Sequence, residues 1–317
     1  MTGKQLHVVF GAGQIGPPLA RTLCDLGHEV RIVRRSSAAA IDGITVAAGD
    51  AMDAAFTRSV TQGATAIYNC MNPTYSAQIW SEQLPRLAMS LIGAASVSGA
   101  RLVVLDNLYM FGPMHGAAMN EQTPIGPVSK KGEVRTRVAA TYFEAHAAGT
   151  AKVVLGRAPD FFGPGGDQTN FGKFFWEGAL KNGKPQVVVN PDVPHAFAFT
   201  HDVAAGLATL GTASDEVAGQ WWMLPSYSAM TIRKLTAQLG KALGRELKVQ
   251  RVPGVVRAIL PLFMPALREF PEMSYQWEAP YIVDDARFRA RFRVAPTPLP
   301  EAAALTVAWA KAKFGAK

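Results

Sequence analysis

The stretch His7-Val8-Val9-Phe10-Gly11-Ala12-Gly13-Gln14-Ile15-Gly16 decides how this chain is read. Its first four residues form a short buried strand that runs straight into a Gly-x-Gly-x-x-Gly turn. A helical pattern follows from Pro17 to Leu26, and Gly27 ends it. Glu29-Val30-Arg31-Ile32-Val33 is a second strand, with Arg34 and Arg35 at its tip. A glycine turn between strand and helix, with a charged residue at the end of the next strand about twenty positions on, is a dinucleotide-binding pattern. Gly11 permits the tight turn, Gly13 lets the backbone approach a pyrophosphate, and Gly16 lets the helix pack close on the strand. Gln14 and Ile15 complete the turn. The phosphates then meet free N–H groups at a helix N-terminus, where the dipole favours negative charge.

The tip of the second strand selects between cofactors. An NAD site usually carries Asp or Glu there for the ribose 2′-hydroxyl. This chain carries Arg34 and Arg35 instead, and two guanidinium groups suit a 2′-phosphate through charge-assisted bonds. The expected cofactor is NADP(H).

The 317 residues can fill one large domain or two unequal lobes. Hydrophobic residues make up 49% and charged ones 18%, the balance of a soluble globular protein. No run is apolar enough to span a membrane. The apolar stretch 255–267 is broken by Arg257, Pro261 and Pro265, and suits a pocket-lining or lid helix. The chain enters a strand at once, with no signal-peptide pattern. Its two cysteines, Cys24 and Cys70, point to a reducing cytoplasm. No Cys/His cluster has metal-ligand spacing, so no metal is expected. The net charge of +8 raises the question of nucleic acid. The basic residues are scattered except in Arg287-Phe288-Arg289-Ala290-Arg291-Phe292-Arg293. That cluster reads as the outer face of a helix, with Phe288 and Phe292 turned inward at i and i+4.

Short apolar strands alternate with helices through residue 157: strands at 44–50, 64–70, 101–106 and 152–157, helices near 52–61, 76–98 and 133–148. This alternation calls for an α/β fold, a doubly wound parallel Rossmann sheet with a smaller C-terminal substrate lobe. The pattern loosens over 159–194, returns to the sheet at 196–199, and continues with a helix at 202–210, a strand at 221–225 and a helix at 231–243. Residues 1–165 and 196–224 are assigned to the nucleotide domain, 166–195 and 225–317 to the substrate lobe. The 163–166 loop is the expected hinge.

Several segments resemble the extended or atypical short-chain dehydrogenase/reductases, specifically the NAD(P)-dependent epimerase/dehydratase family. Gly49-Asp50 sits where the family's Asp faces adenine, and Ala51 follows it. Tyr68-Asn69-Cys70-Met71-Asn72-Pro73 follows the fourth strand, where the family lines the cofactor; Asn69, Cys70 and Met71 are the matching positions. Gly156-Arg157-Ala158-Pro159-Asp160-Phe161-Phe162-Gly163-Pro164-Gly165 is similar to the family's segment beside the nicotinamide, which implies cofactor contacts for Asp160 and Phe161. His195-Ala196-Phe197-Ala198-Phe199-Thr200-His201-Asp202 is similar to its return to the sheet. The resemblance also implies a homodimer through the helices at 76–98 and 133–148.

The family's catalytic set is where the chain departs. The family places Ser or Thr after the fifth strand, and Tyr and Lys four apart on the next helix. Those positions fall at Asp106-Asn107, near Lys131 and near Arg135. Tyr142, with His146 four residues on, lies too late on the helix to replace the Tyr. Lys131 and Arg135 share a helix face at i and i+4 and are candidates to hold a ribose and stabilise an oxyanion. Tyr109 follows the fifth strand and is a candidate acid; Asn107 is a candidate hydrogen-bond donor to a substrate carbonyl. His115, His195 and His201 are isolated and read as structural. Met110, Met114, Met119, Trp176, Trp221, Trp222 and Trp277 read as core or pocket wall.

An NADP(H)-dependent oxidoreductase acting on an apolar carbonyl or alkene is the first functional reading, because Phe161, Phe162, Phe171, Phe174, Phe175, Trp176, Phe263, Met264 and Trp277 promise an apolar pocket. A sugar-nucleotide epimerase or dehydratase is the second. A regulatory protein that senses NADP(H) without turnover is the third. The partner in each active case is a small molecule, with neither nucleic acid nor membrane involved.

Overall fold

The computed structural model describes residues 4–36, 43–256, 259, 268–269 and 271–315. The expected alternation is present from the start: β1 (Leu6–Phe10), α1 (Gly16–Asp25), β2 (Glu29–Arg34), β3 (Ile44–Ala48), α2 (Ala54–Val60), β4 (Ala64–Asn69), α3 (Ala77–Ser98) and β5 (Arg101–Asp106). A short β6 (Ala118–Met119), α4 (Lys130–Ala147) and β7 (Val153–Arg157) follow. The chain then leaves through β8 (Asp160–Phe162), α5 (Lys173–Asn182) and β9 (Gln186–Val187). It returns through β10 (His195–Phe199), α6 (Thr200–Thr212), β11 (Trp221–Met223), β12 (Tyr227–Met230) and α7 (Ile232–Leu243).

Seven strands form one sheet in the order β11-β7-β5-β4-β1-β2-β3, and every neighbouring pair is parallel. The order reverses between β1 and β4, the crevice where such sheets bind ligands. Alternate side chains cover both faces. On one face Val8, Ile67, Val104 and Leu155 pack against Trp80 and Leu91 of α3 and Val138 of α4. On the other, Val9, Ile32, Val103 and Val154 pack against Leu19 of α1 and Leu207 of α6. A third core joins Phe162, Phe197 and Phe199 to Phe171, Phe175, Trp176, Leu235 and Val307. The expected basic helix is present at Ala286–Phe292, with Phe288 buried and its ring 4.6 Å from that of Phe292.

The helix starts explain two offsets. Ser76 Oγ accepts from the Ile79 amide and caps α3, while Gly99 ends it with φ 69°. Ser129 Oγ accepts from the Gly132 amide at 3.0 Å, so α4 begins at Lys130 rather than at 133. Lys131 therefore stands in the first turn of the helix.

Candidate active site

The glycine turn has the geometry of a phosphate cradle. Gly11 adopts φ 107°, which L side chains rarely do, and its amide donates to Val33 O at 3.0 Å. A Cβ on Gly16 would lie 1.7 Å from Gly11 O, so only glycine lets α1 start there. Gln14 Oε1 is buried with no hydrogen-bond partner among the described residues. A dinucleotide fits this cradle: there is room above Gly13 for the phosphates, and the orphaned Gln14 acceptor suits a ribose hydroxyl. A side chain at Gly165 would meet Gln14 at 3.2 Å, so the 163–166 loop packs directly on the turn.

Arg34 ends β2 half-buried and Arg35 is exposed just beyond; Arg34 Nη2 makes a long contact of 3.5 Å to Ser36 Oγ. Asp50 is exposed at the end of β3 and accepts from the Met52 amide, with Ala51 buried beside it. Asn69 is buried at the end of β4; its Nδ2 donates to Tyr142 Oη and its Oδ1 accepts from the Met71 amide, both at 3.1 Å. Burial pushes the Cys70 thiol up to about 12, so it stays protonated and unreactive.

The positions that the family gives to Tyr and Lys are occupied by engaged cations. Lys131 is fully buried. Its ammonium donates to Glu269 Oε2 at 2.6 Å and Glu272 Oε1 at 2.5 Å, and lies 4.5 Å from the centre of the Tyr75 ring. The same carboxylates cap helices: Glu269 accepts from the Ala77 amide at the start of α3, and Glu272 from the Lys130 amide at the start of α4. Arg135 Nη2 donates to Asn72 Oδ1 at 2.6 Å, its Nη1 reaches Asp106 Oδ1 at 3.4 Å, and its guanidinium lies over Trp80 at 4.5 Å. Asp106 is gripped a second time by Arg157 Nε at 3.0 Å. Burial lowers the Arg157 pKa, and Asp106 opposes that shift.

Tyr109 lies beside these groups. Its ring stacks near-parallel on Trp80, its hydroxyl is hydrogen-bonded to that of Tyr75, and burial raises its pKa well above the ordinary range. Tyr109 is thus a proton donor, not a phenolate. Asn107 Oδ1 accepts from the Tyr109 amide at 3.1 Å and shapes the loop that presents the tyrosine. Asp160 Oδ2 lies 2.8 Å from His195 Nε2, and Phe161 packs half-buried in the cluster that contains Ala12 and Cys70.

The apolar pocket is a correction. Phe162, Phe171, Phe175 and Trp176 are closed core with at most 1% exposure, Phe174 is exposed outside it, and Trp277 lies parallel to the His195 ring. Phe263 and Met264, with most of the 255–267 run, lie outside the described residues. Among the described residues, Phe162, Phe171, Phe175 and Trp176 are used for cohesion rather than to line a cleft. His195 is a second correction: it is isolated in sequence but paired in space. Tyr75, Glu269 and Glu272 are the residues that the sequence did not single out. Only the tyrosine type of Tyr75, in the loop after β4, signals its part.

A model of the NAD dependent epimerase/dehydratase family matches residues 7–222, and the chain belongs to that family of enzymes. Its members use a nicotinamide dinucleotide, the ligand class for which the glycine turn is shaped. No curated protein matches the sequence. Solved structures share the fold over nearly the whole length. DesIV, a dTDP-glucose 4,6-dehydratase from Streptomyces venezuelae solved with NAD and TYD, is 18% identical, with 98% of each chain covered and a TM-score of 0.77. UDP-glucuronic acid 4-epimerase from Bacillus cereus is 14% identical, with 98% of this chain and 100% of that one covered and a TM-score of 0.77. The Bordetella bronchiseptica enzyme WbmH, solved with NAD+, is 15% identical, with 99% and 100% covered and a TM-score of 0.74. Among the described residues no helix is long and apolar enough to cross a membrane.

Proposed function

We propose that this protein is an epimerase- or dehydratase-type enzyme that uses NADP(H) on a nucleotide-linked sugar. The observation that carries this reading is the family match over residues 7–222, which includes the glycine turn and the ends of β4, β5 and β7. Phe162, Phe171, Phe175, Trp176 and Trp277, which argued for an apolar substrate, are spent in packing, which favours a polar one. A bound nicotinamide would supply the site where hydride is taken up and returned.

The chain's own residues then divide the work. Gly11, Gly13, Gln14, Ile15 and Gly16 hold the pyrophosphate, and Arg34 and Arg35 hold the 2′-phosphate. Asp50 and Ala51 border the adenine; Asn69, Cys70 and Met71 line the middle of the site; Asp160 and Phe161 stand at the nicotinamide end. Tyr109 donates to the substrate oxygen from a loop shaped by Asn107. Arg135 stands where the family's Lys binds ribose, with Lys131 one turn earlier. The lobes are 1–165 with 196–224, and 166–195 with 225–317. Two copies pair through α3 and α4 in the cytoplasm.

The test is a titration with NADPH and NADH by nicotinamide fluorescence, followed by NMR of UDP-glucose, UDP-glucuronate and dTDP-glucose incubated with the loaded protein. An epimerised or dehydrated sugar supports the reading. Reduction of simple carbonyls without any change in the sugars would favour an oxidoreductase of apolar substrates. Tight binding without any turnover would favour an NADP(H) sensor, a reading that the burial of Lys131 between two carboxylates supports.

A further inference from the structure

His195 opens β10 with 1% exposure, and its two ring nitrogens face different partners. Nδ1 lies 3.1 Å from the backbone carbonyl of Gln276, which only accepts, so Nδ1 carries a hydrogen. Nε2 lies 2.8 Å from Asp160 Oδ2. A neutral imidazole with its hydrogen on Nδ1 presents a lone pair at Nε2, and an ionised carboxylate also only accepts. Two acceptors at that distance need a proton between them. The pair therefore holds one proton more than a neutral histidine and an ionised aspartate would.

The surroundings suit that proton. The imidazole lies parallel to the Trp277 indole, with centroids 3.7 Å apart and planes 7° apart, and the face of an indole attracts a cation. Tyr281 lies near-parallel on it at 5.1 Å. Tyr281 is itself fixed: Gln276 Nε2 donates to its hydroxyl, which donates to Leu108 O at 3.3 Å. The Asp160 side chain is 33% exposed, so the pair opens to the outside through its carboxylate. The charged and titratable groups that feel Asp160 are Tyr75, Tyr109 and Tyr281, the first two being the hydrogen-bonded pair from the loops after β4 and β5.

We propose that Asp160 and His195 form a one-proton store that serves as this chain's acid–base group, in place of the tyrosine missing at Lys131. Asp160 is the catalytic residue that exchanges this proton with the substrate oxygen, to which Tyr109 supplies a second hydrogen bond. His195 is a positioning residue that holds the proton behind it. In the donating direction the bond to the pair's proton breaks and an O–H bond forms with an electron pair of the substrate oxygen. The pair is left as a neutral imidazole and a carboxylate, and water at the exposed side of Asp160 returns the proton. The reverse takes a proton from a substrate hydroxyl. The role in turnover rests on the function proposed above; the proton count does not.

The experiment is NMR of the full chain labelled with 15N in histidine and 13C in the aspartate carboxyl, at neutral pH, with His195 assigned from the spectrum of His195→Gln. Wild type should show either both ring nitrogens of His195 protonated or Asp160 protonated. In Asp160→Asn, whose amide donates to Nε2, His195 should become neutral. A neutral His195, in either tautomer, beside an ionised Asp160 in wild type would overturn the store. Turnover of a nucleotide sugar, measured at saturating NADPH, should fall at least 100-fold in Asp160→Asn; unchanged turnover overturns the catalytic role. A wild type that turns over no sugar removes the proposed substrate class, and the NMR result still decides the store.

Discussion

Lys131 Nζ and Glu272 Oε1 meet at 2.5 Å although 141 residues separate them, and Glu269 binds the same ammonium from the other side. The lysine is fully buried, whereas both carboxylates keep some solvent contact. Removing the acids strands a buried charge; removing the lysine does not. The Glu269→Gln, Glu272→Gln double variant should therefore lose about 2–4 kcal/mol, more than Lys131→Met, as read from urea unfolding. Equal losses would show that the ammonium does not need its partners.

The same pair sets an acid limit. The hydrogen bond from Lys131 holds the Glu269 carboxyl below its ordinary range. A depressed carboxyl stabilises the fold above its unfolded value, and that contribution disappears as pH falls through the folded value. The stability of wild type should fall more steeply below pH 4 or so than that of Lys131→Met. Parallel profiles from chemical denaturation would sink the link.

His7 gives a second limit at higher pH. It is buried in β1 with Nδ1 2.9 Å from Tyr68 Oη, and burial lowers its pKa to about 4. Above the unfolded value of about 6.5 neither state binds the proton. Between there and 4 only the unfolded chain does, so stability drops as pH falls, by up to about 3 kcal/mol in all. His7→Gln should flatten that limb of the curve.

The glycine turn separates folding from binding. Gly16→Ala puts a Cβ 1.7 Å from Gly11 O and should unfold the start of α1. Gly13 has no neighbour within 4 Å of an added Cβ. Gly13→Ala should keep the melting temperature within about 2 °C, yet weaken NADPH at least tenfold by blocking the pyrophosphate. A Gly13→Ala protein with normal affinity would mean that the cofactor does not lie on this turn.

Arg34→Ala with Arg35→Ala should weaken NADPH by about 10–100-fold, the scale of charge-assisted bonds to a phosphate, and NADH by less than threefold. Equal affinities in wild type would remove the 2′-phosphate from the strand tip. Tyr109→Phe should lower turnover more than tenfold while NADPH binding persists; full turnover would remove Tyr109 from the chemistry.

The sheet was legible because its strands are apolar on both faces and its helices carry punctuation: Gly27, Ser76, Gly99 and Thr231 mark ends within a residue of where they fall. Alternating strands and helices name their neighbours through local rules. The cleft is different. Glu269 and Glu272 carry no sequence pattern that joins them to Lys131, which only the fold sets between them. Asp160 and His195 are 35 positions apart and no short-range pattern joins them. The aromatic run 161–176 misled because composition does not distinguish a pocket wall from a closed core.

The two glutamates also order events in time. Besides Ser76 and Ser129, the starts of α3 and α4 take second caps from residues 192 and 142 positions further along. A ribosome that has made the whole parallel sheet has not yet made those caps, and Lys131 remains an unmatched charge in the emerging domain. Synthesis of this chain thus passes through an interval in which the parallel sheet is complete in sequence while Glu269 and Glu272 are still to come.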